Sequence, residues 1–146
     1  MRDSTTTKYQ ETEAPRDVAV DRSKRELYEQ LRTSNSSPFY GVELRELFLF
    51  ALGYGRQKAG RVELDADPHY LFGRTTLSDE QMWVIKSVAV KETRDIHVLR
   101  DNRLVYTIVQ EYANSGIEKL HGKVFGPYEA LNELTSELKS LHEIED

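Results

Sequence analysis

The chain contains no cysteine. That removes disulfides, thiolate nucleophiles and cysteine-ligated metal sites together, and it fits a reducing compartment. Long hydrophobic runs are also missing, since no stretch approaches the roughly 20 apolar residues of a membrane-spanning helix. The opening stretch MRDSTTTKYQETEAPRD has no apolar core, so no secretory signal is expected and the location is expected to be cytoplasmic. Phosphate-binding glycine patterns are absent. Gly53-Tyr54-Gly55 lacks a third glycine and follows a helical pattern rather than a strand. There is no Gly-x-Ser-x-Gly elbow. His69, His97, His121 and His142 show no helical metal spacing, so neither a metal nor another cofactor is expected. Glu92, Asp95 and His97 lie close in sequence, but a solvated helix end is the simpler reading. With no convergent set of titratable groups, the chain is not expected to be an enzyme.

What is present is a helical pattern. A length of 146 residues fits one domain, and 31% charged residues fit a well-solvated surface. Residues 1–22 are polar, with almost no large apolar group, and are expected to form a disordered tail. Residues 23–146 are expected to form a single helical domain. Ser23-Lys24-Arg25-Glu26 reads as a capping box opening a first helix on Leu27, Tyr28 and Leu31. Leu44, Leu47, Phe48, Ala51 and Leu52 follow the helical period and mark a second helix. Gly53 and Gly55 are expected to end it or to admit a neighbouring backbone. Residues 56–61 then read as a basic loop, residues 61–64 as a short β segment or merely extended chain, and residues 65–77 as a surface loop.

A second capping box, Ser78 to Gln81, opens a helix with Met82, Ile85, Val88 and Ala89 inward. A short helical segment at Ile96–Leu99 precedes a helix capped at Asp101 or Asn102, with Val105, Ile108, Val109 and Tyr112 on its stripe. Asn114-Ser115-Gly116 resembles a left-handed helix end, followed by a short helix at residues 117–124. The last helix carries Leu131, Leu134, Leu138 and Leu141 with acidic flanks. The expected fold is all-α, a compact bundle of five to six helices.

Charge is unevenly distributed. Residues 22–61 hold eight basic and four acidic side chains, although the whole chain has a net charge of −5. Arg56, Lys58 and Arg61, with Arg25 and Arg32, are therefore candidate contacts to a DNA backbone. Basic groups near a helix C-terminus also favour the helix dipole, which gives them a structural reason to be there. The leucine stripe Leu131, Leu134, Leu138 and Leu141 is a candidate partner-binding surface, and a place in the core is its simpler explanation.

Several segments in order carry a family resemblance. They are Arg25-Glu26-Leu27-Tyr28, Ser37-Pro38-Phe39, Leu47 through Tyr54, and Gly60 through Leu64. Then come Ile85, Lys91-Glu92-Thr93, Asp95, Val98-Leu99 and Glu111 through Ile117. Over residues 23 to about 124 the chain resembles the dnd system-associated protein 4 family. That resemblance implies a place beside prokaryotic systems that modify the DNA backbone with phosphorothioate and restrict unmodified DNA, in defence against phage. It supplies no catalytic residue. It implies an accessory subunit whose partner is a larger modification or restriction protein of the same system, with duplex DNA as a second candidate partner. The alternative is a stand-alone DNA-binding regulator of a defence gene cluster.

Overall fold

The structure is a computed structural model that describes residues 9–145, with the side chains of that span apart from those at 128–130 and 141–145. The fold is mostly α, with one small sheet. In chain order the elements are β1 (Asp17–Asp21), α1 (Arg25–Thr33), α2 (Leu44–Lys58), β2 (Pro68–Gly73), α3 (Asp79–Thr93), α4 (Asn102–Phe125) and α5 (Tyr128–Glu145). Short 3-10 turns sit at Arg22–Lys24, Arg74–Thr76 and Ile96–Arg100.

The centre is the pair α2 and α4, which make the most extensive contact in the molecule. Leu47, Phe48, Ala51 and Leu52 on α2 meet Val105, Ile108, Val109, Ala113, Ile117 and Leu120 on α4 in one buried cluster. Two glycines allow this crossing to be tight. A Cβ at Gly55 would collide with the Tyr112 carbonyl, and one at Gly116 with the Ala51 carbonyl. Gly116 is therefore not a helix end: α4 runs unbroken from Asn102 to Phe125 and includes the expected short helix. Likewise α2 continues through Gly53 and Gly55 to Lys58, so Arg56 and Lys58 belong to its last turn and not to a loop.

Three further expectations are corrected. The polar N-terminal stretch does not stay outside the fold from residue 9 onward; residues 1–8 lie outside the described residues. β1 pairs antiparallel with β2, with a register shift between Val18 and Ala19 that makes Leu71 the extra residue. Val18, Val20 and Tyr9 are buried. Ala19 N–H donates to Gln110 Oε1 on α4 at 2.8 Å. Thr12 is held at the start of α4: its hydroxyl donates to Asp101 at 2.8 Å, and its carbonyl accepts from Asn102 at 3.1 Å. Few large apolar groups are needed when a strand partner and a helix start satisfy the backbone.

A strand lies at Pro68–Gly73, inside the expected loop, whereas residues 61–65 are extended chain with no strand partner among the described residues, the second of the two expectations for them. Finally, the Ser23 capping box does not form. Lys24 is the residue before α1 and already has helical backbone angles, because a 3-10 turn leads directly into the helix. The box at Ser78 and Gln81 forms with both of its hydrogen bonds. The Asp101 cap forms through Leu104 N–H at 3.1 Å.

Candidate functional site

The basic segment is the place to test for a nucleic-acid surface, and most of its cations are paired with carboxylates at the surface. Arg25 and Arg32 both reach Glu29, at 3.0 and 3.2 Å. Arg32 also donates to the Val42 carbonyl at 2.6 Å, which ties α1 to the start of α2. Arg22 pairs with Asp67, Lys24 with Glu118 and Arg45 with Glu43. Lys58 meets Glu137 of α5 at 3.0 Å. Arg61 bridges Glu111 at 2.9 Å and Glu92 at 3.2 Å. Of the eight cations, Arg56 alone forms no ion pair among the described residues. A cation already holding a carboxylate has less net charge to offer a phosphate, so this surface is less basic than its composition.

Arg61 belongs to a polar seam that straps residues 59–64 across α4. Tyr112 donates to Glu92 at 2.5 Å. Asn114 Nδ2 donates to the Val62 carbonyl at 3.1 Å, and the Ser115 hydroxyl donates to the Gly60 carbonyl. Asn114 and Ser115 are buried, and the sequence reading missed this use of them because it placed a helix end there. The apolar spacing Val105, Val109, Tyr112, Gly116, Leu120 and Val124 was the available signal. It keeps its phase through Gly116, and a left-handed cap would have reset it.

The seam and α5 set a pH response. The Glu92 carboxyl is held below its ordinary value of 4.5 by the Tyr112 hydrogen bond and by Arg61, against the opposing effect of burial. At Glu137 burial opposes ionisation, but the bonds from Lys58 and Tyr54 outweigh it and again lower the value. A depressed carboxylate stabilises the fold fully above its unfolded pKa, and that contribution is lost as pH falls through the folded value. Stability should therefore fall below about pH 4.5 as these two groups protonate. In urea titrations at neutral and acid pH, Glu92→Gln should lower stability at neutral pH and reduce its loss on acidification. An unchanged loss would remove Glu92 from this account.

The described leucines of the last-helix stripe pack against the core. Leu134 is fully buried, and Leu131 and Leu138 are partly buried against the core; the Leu141 side chain lies outside the described residues. Around them Tyr54 donates to Glu137 at 3.0 Å, and Lys123 pairs with Glu133 at 2.7 Å. Asp95 and His97 pair with each other at 2.9 Å at the 3-10 turn, while Glu92 faces Arg61 and Tyr112. Among the described residues no group of three His, Asp or Glu side chains is placed to hold a metal, and no helix is long and apolar enough to cross a membrane.

The model of one family, DNA sulphur modification system-associated protein 4, matches residues 17–145. The chain belongs to that family. The match extends the resemblance at both ends, taking in β1 and the whole of α5, so the acidic last helix is part of what the family shares. Membership associates the protein with a DNA sulphur modification system. No curated protein and no solved structure is similar enough to the chain to count as a match.

Proposed function

We propose that the protein is a non-enzymatic accessory subunit of its DNA sulphur modification system. It would act in the cytoplasm through a larger modification or restriction protein, as part of defence against phage. Family membership supports the association with the system. The observation that carries the accessory reading is the commitment of Arg25, Arg32, Lys58 and Arg61 to intramolecular ion pairs. A surface so neutralised suits contact with a protein better than it suits a DNA backbone.

Two measurements test this. Tagged protein should retain a purified modification or restriction protein of the same system, and absence of any such complex would count against the role. Duplex DNA should bind weakly, with a salt slope near about −1, the value for a single phosphate contact by Arg56. Replacing Arg56, Lys58 and Arg61 together by alanine should then change the slope by about 1 and no more. A steep slope that collapses in this variant would favour the alternative, a stand-alone DNA-binding regulator.

A further inference from the structure

The outward face of α2 has features that the packing of the fold does not account for, although the Arg56 charge also helps hold the Glu92 carboxyl low. Gly53 lies opposite the buried Ala51 and Gly55, in the interior of a helix, where glycine costs about 1 kcal/mol relative to alanine. A Cβ at Gly53 would meet nothing within 4 Å among the described residues, so none of their backbone requires the glycine, in contrast to Gly55 and Gly116. Around it Leu49, Phe50, Tyr54 and Gln57 line a depression of about 220 Å³. Phe50 is 38% exposed there, braced on one edge by Phe39 at 5.1 Å between ring centres. Glu46 and Arg56 stand exposed on the same outward half of the helix, one towards each end, and neither forms an ion pair among the described residues.

The order of these residues is self-complementary. Glu46 and Arg56 are centred on position 51, and so are Leu49 and Gly53. When two such helices cross antiparallel about that midpoint, each Leu49 comes over the partner's Gly53 and each Glu46 comes to the partner's Arg56. The ten residues from 46 to 56 span about 15 Å of helix, so both ion pairs and the central contact fit one crossing. A two-fold axis uses the same patch on both chains and therefore needs a sequence that reads correctly in both directions. A different protein partner would impose no such symmetry on this face.

We propose that α2 is the interface of a two-fold homodimer, with Leu49 seated in the depression at Gly53 and Glu46 paired with Arg56 of the second copy. Few side chains carry the contact, so the dimer is expected to be weak and reversible. The dimer and the protein-binding role can fail separately, but the dimer and a phosphate contact compete for Arg56, so the Arg56 salt slope should weaken where the dimer is populated.

Sedimentation velocity over micromolar to millimolar concentrations of the full chain tests it. The wild type should pass from monomer to dimer. Gly53→Leu fills the depression from open space, so it should leave the circular dichroism spectrum and thermal midpoint intact or improved while abolishing the dimer. Glu46→Arg places like charges at two symmetric sites and should weaken association on the order of tenfold. Combining Glu46→Arg with Arg56→Glu should restore it, which a general loss of structure would not do. A wild type that stays monomeric throughout overturns the proposal. So does a dimer that survives Gly53→Leu, or one that the double charge swap fails to rescue.

Discussion

Gly116→Ala should destabilise the fold by about 3 kcal/mol or more, at the upper end of overpacking changes, although it adds one methyl group. Helix propensity alone gives the opposite sign, because alanine inside a helix is favoured over glycine by about 1 kcal/mol. The crossing decides. The added Cβ would meet the carbonyl of Ala51 and come within 2.8 Å of the Gly55 amide nitrogen. Both are backbone atoms of a helix and cannot rotate away as a side-chain end would. The clash is therefore relieved only by separating α2 from α4, which loosens the largest contact in the molecule. Gly122 provides the control, since it lies on the same helix and its Cβ would meet nothing within 4 Å among the described residues. Gly122→Ala should stabilise by about 0.5–1 kcal/mol. Urea denaturation of the two variants should thus give shifts of opposite sign, and a neutral Gly116→Ala would show that the helices cross less closely.

The contrast between these glycines explains much of what was legible. Apolar periodicity exposed the inward faces of α2, α3 and α4 because a 3.6-residue stripe must be buried somewhere. The second capping box and the Asp101 cap were readable because their chemistry is local. Glycine roles were not local. Gly116 beside Asn114 and Ser115 has the composition of a helix end, and only the backbone of a different helix shows why the chain continues through it. β1 was hidden for a related reason. Its two buried valines are too few to resist disorder alone, and its partner lies about fifty residues later, within a stretch that reads as a loop.

The candidate site was legible as composition and not as arrangement. Eight cations in residues 22–61 are visible in the sequence; Arg25, Arg32 and Arg45 pair locally with Glu29 and Glu43, but the carboxylates that answer Arg22, Lys24, Lys58 and Arg61 come from elsewhere in the chain. Glu92 and Glu111 reach Arg61 from α3 and α4, Glu118 reaches Lys24 from α4, and Glu137 reaches Lys58 from α5. The positive middle and negative end are thus parts of one folded charge balance. This also gives α5 a defined place. Its acidic groups answer Lys58 and Lys123, while Leu134 fixes its apolar side in the core.

Phe48→Ala should cost about 3–5 kcal/mol, the range for deleting a buried aromatic side chain. Phe48 is fully buried on the inward face of α2, next to Ala51 and Leu52. It also contacts the sheet, because its ring meets Phe72 of β2 edge to face, with centres 5.6 Å apart and planes at 77°. Such a pair adds about 0.5–1.5 kcal/mol beyond the area it buries. Truncation therefore leaves a cavity between α2 and β2 and removes one of the contacts that hold the sheet to the helices. Phe48→Leu keeps most of the volume and should cost less, by roughly the aromatic pairing and part of the cavity. The second signature is local: β2 carries β1, so the Ala19 amide, which is bonded to Gln110, should lose hydrogen-exchange protection in Phe48→Ala before the α4 amides do. A cost under about 1 kcal/mol in urea would place Phe48 outside the core. Uniform loss of protection across β1 and α4 would mean instead that the sheet and the helix pair unfold as one unit.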